Sequence, residues 1–356
     1  MTRLARVSVD PAALRANLAR IRALAPRARV LAVVKANAYG HGAVSVARAL
    51  EAAEGFGVAN VAEAVQLREA GLAQPILVLG GFRSDEELGV LSRLELWTVV
   101  HQLWQVERLT ACALPAPVGV WLKIDTGMHR LGLDAGEFRE AWSRLGASPN
   151  CRWPPVLMTH LACADDPHRN AFTEAQLRRF EALSRDLGAQ TSIANSAALL
   201  AHPRTRSGWV RPGLLLYGAW PLADAAPQGQ AAWRPAMRFA APIVAVRRLH
   251  AGDSIGYGAT WTCPTDMDVA VVAAGYADGY PRHAPSGSPV LIGGHRARLV
   301  GRVSMDMLSV DLRGVPHPRV GDEAVLWGQD PRVEEVAARA GTIPYELLCH
   351  AGRCLG

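Results

Sequence analysis

Short apolar runs of β type alternate with helical patterns through the first two thirds of the chain. Eight runs are strand candidates, at residues 30–34, 56–59, 76–79, 96–100, 118–124, 156–161, 191–194 and 209–211. The segments between them carry helix signals, such as Asn60 as an N-cap with Glu63 three residues later. Eight β units alternating with helices predict an N-terminal parallel (β/α)8 barrel of the TIM type, and a doubly wound open sheet is the alternative.

The alternation of strand and helix patterns ends after Tyr217. Residues 221–235 are polar, contain prolines and show no periodicity, so we place a domain boundary there, between residues 230 and 231. Beyond it, strand-like runs dominate and a single helical pattern is expected, with strands at 243–246, 269–273, 289–292, 299–303, 308–312 and 323–326 and a helix at 333–340. The sequence therefore predicts a barrel domain, 1–230, and a mainly-β domain, 231–356. The strand-like opening segment, 4–9, can join the second domain.

Composition places the chain among ordinary globular proteins. It has 356 residues, of which 50% are hydrophobic and 20% are charged. No apolar stretch approaches the roughly 18 residues of a membrane span, and the first ten residues lack the apolar core of a signal peptide. The six cysteines show no metal-ligand spacing, so we expect reduced thiols and no metal site. These features predict a soluble, cytoplasmic protein without a membrane partner.

The basic residues are divided very unevenly between arginine and lysine. The net charge of +6 is spread along the chain, which argues against a nucleic-acid partner. Of the 38 basic residues, only Lys35 and Lys123 are lysines. A guanidinium stays protonated because its pKa is above about 12, whereas a lysine can lose its proton and become a nucleophile, a base or a carbamate. The two lysines are therefore the first candidates for chemistry, with chance survival as the alternative.

Polar residues follow several of the predicted barrel strands. In a barrel of this type the active site lies at the C-terminal ends of the strands. The residues at these positions are Lys35, Arg130, His160, Asn195, Ser196 and Arg211. The Ser196 hydroxyl and the backbone N–H groups of Gly213 and Leu214 would form a phosphate cup in the last two loops. A lysine, a phosphate cup and an arginine on one face suggest pyridoxal phosphate held as a Schiff base.

Several long motifs point to one family. They are A-V-V-K-A-N-A-Y-G-H-G around Lys35, L-K-I-D-T-G-M-H-R-L-G at 122–132, V-R-P-G-L-L-L-Y-G from 210, G-Y-G-A-T-W from 256 and G-R-V-S-M-D-M from 301. With these motifs the chain resembles bacterial alanine racemases over nearly its whole length. The first motif is shared more loosely with decarboxylases and small cofactor-carrying proteins of the same barrel type, so the discrimination rests on the later ones.

The resemblance implies a two-base reaction on pyridoxal phosphate. It implies that Lys35 holds the cofactor and serves as the base on one face of the substrate Cα. Tyr257 resembles the second base, which the family takes from the other subunit, so a homodimer with shared active sites is expected. His160 would hydrogen-bond this tyrosine, and Arg211 would face the pyridine nitrogen. A permanent cation there weakens the ring as an electron sink and favours rapid reprotonation over transamination.

The resemblance also assigns the binding residues. The cofactor contacts implied by the match and by the barrel position are Tyr39, Asn195, Ser196, Tyr345 and the backbone of Gly213 and Leu214. Arg130 and the backbone N–H of Met305 resemble the clamp on the substrate carboxylate. Lys123 matches a lysine that is often carbamylated in the family, and a plain ion pair with Asp125 is the alternative. The narrow access corridor is matched by Tyr276, Asp165, Arg282 and Arg302.

We therefore expect an enzyme that interconverts L- and D-alanine. The D-alanine would serve peptidoglycan synthesis or alanine catabolism, between which the sequence does not decide. Tyr276 and Tyr345 would restrict the pocket to small side chains, although a broader racemase acting on serine is an alternative. A non-catalytic carrier of the cofactor is a second alternative, against which the C-terminal domain argues. A decarboxylase of the same barrel type is disfavoured by Arg211, because such enzymes are expected to carry a carboxylate there.

Overall fold

The computed structural model describes residues 3–223 and 232–355. Its strands are β1 (Arg6–Val9), β2 (Arg29–Val33), β3 (Gly55–Val58), β4 (Ile76–Val78), β5 (Trp97–Val100), β6 (Val118–Lys123), β7 (Cys151–Met158), β8 (Thr191–Ser192), β9 (Trp209–Val210), β10 (Met237–Leu249), β11 (Ser254–Ile255), β12 (Trp261–Thr262), β13 (Met267–Val272), β14 (Pro289–Ile292), β15 (His295–Val300), β16 (Leu308–Asp311) and β17 (Glu323–Trp327). Its helices are α1 (Pro11–Leu24), α2 (Lys35–Gly40), α3 (Ala43–Ala49), α4 (Val61–Glu69), α5 (Asp85–Arg93), α6 (Leu103–Ala111), α7 (Ala135–Gly146), α8 (Asn170–Ser184), α9 (Ser196–Ala201), α10 (Val333–Ala340) and α11 (Pro344–Ala351). The boundary predicted between 230 and 231 lies outside the described residues.

Strands β2 to β9 pair in parallel and close into a barrel, which confirms the predicted fold class. The helices between them begin where the sequence signals a start. Asn60 caps α4 by accepting a hydrogen bond from the Glu63 backbone, and Asp134 forms a reciprocal capping box with Glu137 at α7. The C-terminal ends of all eight strands therefore meet at one mouth. Within the described residues, no helix combines the length and apolarity needed to cross a membrane.

The strand-rich C-terminal part forms an antiparallel sheet in the order β1-β10-β13-β16-β15-β14-β17, as the fold prediction expected. The opening strand β1 belongs to this sheet, because Val7 lies opposite Phe239 on β10. The expectation of a single helix here was wrong, since α11 follows α10. Pro344 stands in the first turn of α11, where its missing N–H costs nothing, and Leu347 and Leu348 are buried.

A tryptophan cluster fills the barrel interior below its mouth. The rings of Trp121 and Trp209 lie 5.6 Å apart, and the Trp209 indole N–H donates to Gln190 Oε1 at 2.9 Å. Both side chains are buried together with Met158, which also lines the cavity at the mouth. The cluster thus lies directly beneath the cavity at the mouth, and we call it the tryptophan floor.

We expect Trp209→Ala to destabilise the protein severely. Trp209 is 2% exposed, and truncating a buried tryptophan leaves a cavity that costs about 3–5 kcal/mol. The matched control is Trp104→Ala, because Trp104 is 39% exposed and loses less buried area. The midpoints of chemical denaturation measure both effects, and equal midpoints for the two variants would contradict the assignment of the floor.

Candidate active site

The barrel mouth encloses a cavity of about 660 Å³. Most of the predicted residues from the strand ends line it: Lys35, Tyr39, Lys123, Arg130, His160, Asn195, Ser196, Arg211, Gly213 and Tyr345. Ile343 and Cys349, at the start and on the body of α11, also line it, and sequence reasoning missed them. Recognising Pro344 as a helix start would have placed both beside Tyr345 on one element. The cavity therefore joins the barrel to the C-terminal helix.

The cavity concentrates positive charge. Lys35, Lys123, Arg130 and Arg211 share its wall, and none of the described lining residues is an aspartate or a glutamate. Burial and the nearby Arg130 cation lower the pKa of Lys35 below its ordinary value. Burial, Arg130 and Arg211 lower the pKa of Lys123 to about 8. Near neutral pH both lysines are therefore nearer to the unprotonated, nucleophilic form than a surface lysine is.

Arg211 is fixed by neutral acceptors. Its guanidinium donates to Ser192 Oγ at 2.6 Å, to the Thr159 carbonyl at 2.7 Å and to the Ile193 carbonyl at 3.2 Å. Burial lowers the pKa of Arg211 to about 10, so the group stays protonated at neutral pH. It lies 3.4 Å from His160 Nδ1. Burial and then the Arg211 cation hold the pKa of His160 well below its usual range, so this imidazole is neutral.

One end of the cavity is built around Ser196 and Gly213. Ser196 Oγ accepts hydrogen bonds from the backbone N–H of Gly213 at 2.9 Å and of Leu215 at 3.3 Å, which leaves its own O–H to donate elsewhere. A Cβ at Gly213 would stand 2.5 Å from the Tyr39 hydroxyl oxygen. Glycine is therefore what allows the two hydroxyls of Ser196 and Tyr39 to approach the same backbone.

The structure leaves a second group of predicted residues outside this cavity. Leu214 and Asp165 line a neighbouring groove that shares Tyr345 and Ile343 with it. The remaining ones are exposed on the strand-rich part: Tyr257, Tyr276, Arg282, Arg302 and Met305. They are connected locally, since the Ala277 N–H donates to the Met305 carbonyl and Arg302 lies beside Gly258. Within one chain, Tyr257 is thus on the surface, with 68% of its area exposed.

These residues fit pyridoxal phosphate. A cavity of this size without carboxylates suits a phosphorylated, anionic molecule, and the glycine cradle at 213 with two hydroxyls suits its phosphate. Lys35 supplies an amine whose pKa is lowered for reaction with an aldehyde. The described residues contain no cluster of histidine, cysteine, aspartate and glutamate that could hold a metal ion.

Comparison with known proteins finds one family throughout. Residues 9–221 match the sequence model "Alanine racemase, N-terminal domain", and residues 236–355 match "Alanine racemase, C-terminal domain". The chain is 51% identical to an alanine racemase of Halorhodospira halophila over 98% of this chain and 96% of that protein. It is 49% identical to a catabolic alanine racemase of Pseudomonas putida, with 99% and 98% covered.

A solved structure agrees with the sequence comparisons. The crystal structure of the biosynthetic alanine racemase from Pseudomonas aeruginosa superposes with a TM-score of 0.93 at 44% identity, covering 99% of this chain and 97% of that one. The match spans both the barrel and the strand-rich part. With its barrel, its cationic cavity and both halves of its sequence in agreement, the chain belongs to the alanine racemase family.

Proposed function

We propose that this chain is an alanine racemase that interconverts L- and D-alanine with pyridoxal phosphate. The observation that carries the proposal is the convergence of Lys35, Arg130 and Arg211 on one carboxylate-free cavity in a chain of this family. When bound, pyridoxal phosphate supplies an electron sink that stabilises negative charge at the substrate Cα. Lys35, Tyr39, Asn195, Ser196, Arg211, Tyr345 and the backbone at Gly213 and Leu214 would hold it.

Lys35 would hold the cofactor and then move a proton at the substrate Cα. A general base works best with a pKa near the working pH, and the pKa of Lys35 is shifted in that direction by burial and by Arg130. Arg211, held rigidly by three neutral oxygens, would keep a positive charge at the pyridine nitrogen. That charge disfavours protonation of the nitrogen, which limits the lifetime of negative charge at Cα and favours reprotonation there.

Arg130 would bind the substrate carboxylate, with its planar guanidinium donating in parallel. The Met305 backbone N–H would complete this clamp.

Lys123, which is 6% exposed, lies beside Arg130 and has a pKa of about 8. Its unprotonated amine can attack carbon dioxide, forming an N–C bond and releasing a proton. The resulting carbamate would neutralise and orient Arg130. Carbamylation would thus give the buried Lys123 a role in orienting Arg130, whereas an ion pair with Asp125 would give it only a structural role.

A second base is needed on the opposite face of Cα, and we infer that it comes from a second copy of this chain. Tyr257 is exposed and lies outside the cavity, although the residues around it match the family. In a homodimer, the partner subunit's Tyr257 would reach the cavity and hydrogen-bond His160. Tyr276, Asp165, Arg282 and Arg302 would then line the access corridor, and Tyr276 with Tyr345 would limit the side chain to the size of alanine.

The physiological role stays open between two uses. The relatives include one named catabolic and one named biosynthetic, so supply of D-alanine for peptidoglycan and breakdown of alanine are both retained. We place the enzyme in the cytoplasm, because all six cysteines are free thiols, as in a reducing compartment.

The activity is tested by incubating the purified protein with L-alanine, with and without added pyridoxal phosphate, followed by chiral analysis. We expect D-alanine to accumulate to an equal mixture of the enantiomers, and the same mixture to form from D-alanine. A parallel incubation with L-serine and L-lysine tests the size limit. Formation of a decarboxylated amine, or no change with the cofactor bound, would contradict the proposal.

The shared site is tested by complementation between two inactive variants. We expect Lys35→Ala and Tyr257→Phe each to lose most racemisation alone, with Tyr257→Phe keeping the visible absorption of the cofactor. Co-expressed subunits should form mixed dimers in which one of the two sites has both residues intact, restoring up to about half of the active sites in each mixed dimer. Activity is measured on mixed dimers purified with two affinity tags. If mixed dimers stay inactive, the two residues do not meet across a subunit interface.

Loading of the cofactor should depend on pH through Lys35. An amine attacks an aldehyde only when unprotonated, so the loading rate is low below the pKa of Lys35 and rises as pH increases through it. Because that pKa is lowered, the rise should occur at lower pH than for an exposed lysine. Stopped-flow absorbance with the cofactor-free protein measures the rate, and free N-acetyl-lysine amide is the reference. A midpoint equal to that of the reference would rule out an activated Lys35.

A further inference from the structure

The backbone that follows Lys35 has an unusual conformation. Residues 36–39 have φ angles of 51–54° and ψ angles of 45–51°, which is four consecutive residues in the left-handed region. That region is disfavoured for every residue with a Cβ, and consecutive residues rarely adopt it. We name residues 35–42 the Lys35 turn. A conformation of this kind persists only where surrounding contacts hold it.

His41 holds the turn from inside the protein. Its side chain is buried, and Nδ1 lies 2.9 Å from both the Ala38 and the Tyr39 carbonyl oxygens. Carbonyl oxygens only accept hydrogen bonds, so Nδ1 carries the proton and donates. Burial lowers the pKa of His41 to about 4, so the ring is a neutral donor at physiological pH. The imidazole thereby satisfies the Tyr39 carbonyl and adds a second hydrogen bond to the Ala38 carbonyl, which also accepts the His41 backbone N–H at 3.0 Å.

Tyr217 holds the chain on the other side of Lys35. Its ring lies 4.4 Å from the His41 ring, and its hydroxyl donates to the Val33 carbonyl at 2.9 Å. Val33 is the last residue of β2, two positions before Lys35. The contacting pair of His41 and Tyr217 therefore fixes the backbone both before and after the lysine.

Two further contacts hold the turn at its surface. Glu63 Oε1 accepts a hydrogen bond from the Ala36 N–H at 2.9 Å. On the side of α11, a Cβ at Gly352 would stand 2.4 Å from Gly40 Cα. Gly352 has a φ of −54°, which any residue can adopt, so glycine is needed there only for the close approach. The C-terminal end of α11 thus packs directly on the Lys35 turn. The same helix contributes Tyr345 and Cys349 to the cavity.

We propose that His41 is a positioning residue which, packed on Tyr217, holds the left-handed Lys35 turn and so presents the Lys35 amine and the Tyr39 hydroxyl to the cofactor. The proposal rests on the proposed function, because it assumes that the cavity binds pyridoxal phosphate. Without the Nδ1 donor, the turn is free to relax toward commoner backbone angles. Lys35 and Tyr39 then move, and the cofactor loses its fit while the barrel stays folded.

The test compares His41→Leu with His41→Asn. The asparagine amide nitrogen stands close to the position of Nδ1 and donates, whereas leucine fills similar space without a donor. We expect His41→Leu to weaken pyridoxal phosphate binding at least about tenfold, in line with loss of a buried hydrogen bond, and His41→Asn to restore most of it. Affinity is measured by titrating the cofactor-free protein with pyridoxal phosphate and following absorbance. In the holoenzyme, kcat should fall more than KM rises.

The matched control is His202→Leu. His202 is also buried, and the Nε2 atoms of His202 and His41 both lack a partner among the described residues. This variant should lower the melting temperature without changing cofactor affinity. If His41→Leu does not fold, Gly352→Ala decides, because it displaces the same turn from the other side and should also weaken binding. Wild-type affinity for pyridoxal phosphate in His41→Leu overturns the proposal, and so does wild-type affinity in a folded Gly352→Ala when His41→Leu does not fold. The proposal is also overturned if His41→Asn loses as much affinity as His41→Leu. Absence of binding by the unmodified protein would instead overturn the proposed function.

Discussion

The convergence of four basic side chains on one cavity, two of them buried, is the constraint on which the site depends. Lys123 and Arg211 are almost fully buried there, and like charges repel strongly where water is scarce. The protein relieves part of this cost by lowering the pKa of both lysines and by surrounding Arg211 with neutral oxygens. The described cavity wall contains no carboxylate that could offset the remaining repulsion. An anion bound in the cavity would relieve the remaining repulsion, which supports the proposed function with its phosphate and its substrate carboxylate.

The same constraint explains why the support of the site is rigid. Cations that repel one another move apart unless the backbone beneath them is fixed. Here Lys123 ends strand β6 of the closed barrel, and Lys35 and Arg211 lie within two residues of the ends of β2 and β9. The tryptophan floor excludes water from below. The left-handed turn after Lys35 adds strain of about 1–2 kcal/mol for each residue with a Cβ. Such strain is tolerated because His41 and Glu63 satisfy backbone groups of the turn, and Tyr217 fixes the strand end that precedes it.

The sequence predicted the barrel well because strands buried on both faces appear as uninterrupted apolar runs. Strand β7 was expected from residue 156 and begins at Cys151, because Arg152 and the prolines at 154 and 155 interrupt the apolar run in its first half. The left-handed backbone was beyond prediction, since three of its four residues are alanine or tyrosine, which give no signal for positive φ, and the one asparagine, Asn37, is compatible with only an isolated left-handed residue. Cys349 and Ile343 were missed with α11. The exposure of Tyr257 could not be predicted either, because an isolated tyrosine between turn residues has no pattern that distinguishes surface from core.

A chain that catalyses proton exchange on both faces of a carbon needs two bases that approach from opposite sides. Among the groups that line the described cavity, the proposed function uses Lys35 as a base and assigns Lys123, whose pKa is also lowered, to carbamylation. Lys35 has the lowered pKa of a base, while burial raises the pKa of Tyr39 above its usual range and that of Tyr345 to about 12. His160 is neutral, and its Nδ1 faces the Arg211 guanidinium at 3.4 Å, from which it can accept a hydrogen bond. The proposed second base therefore has to come from outside the described cavity wall. The exposed residues around Tyr257 belong to the same family match as the cavity and include a phenol that could act as the missing base, which supports the proposed pairing of two identical chains.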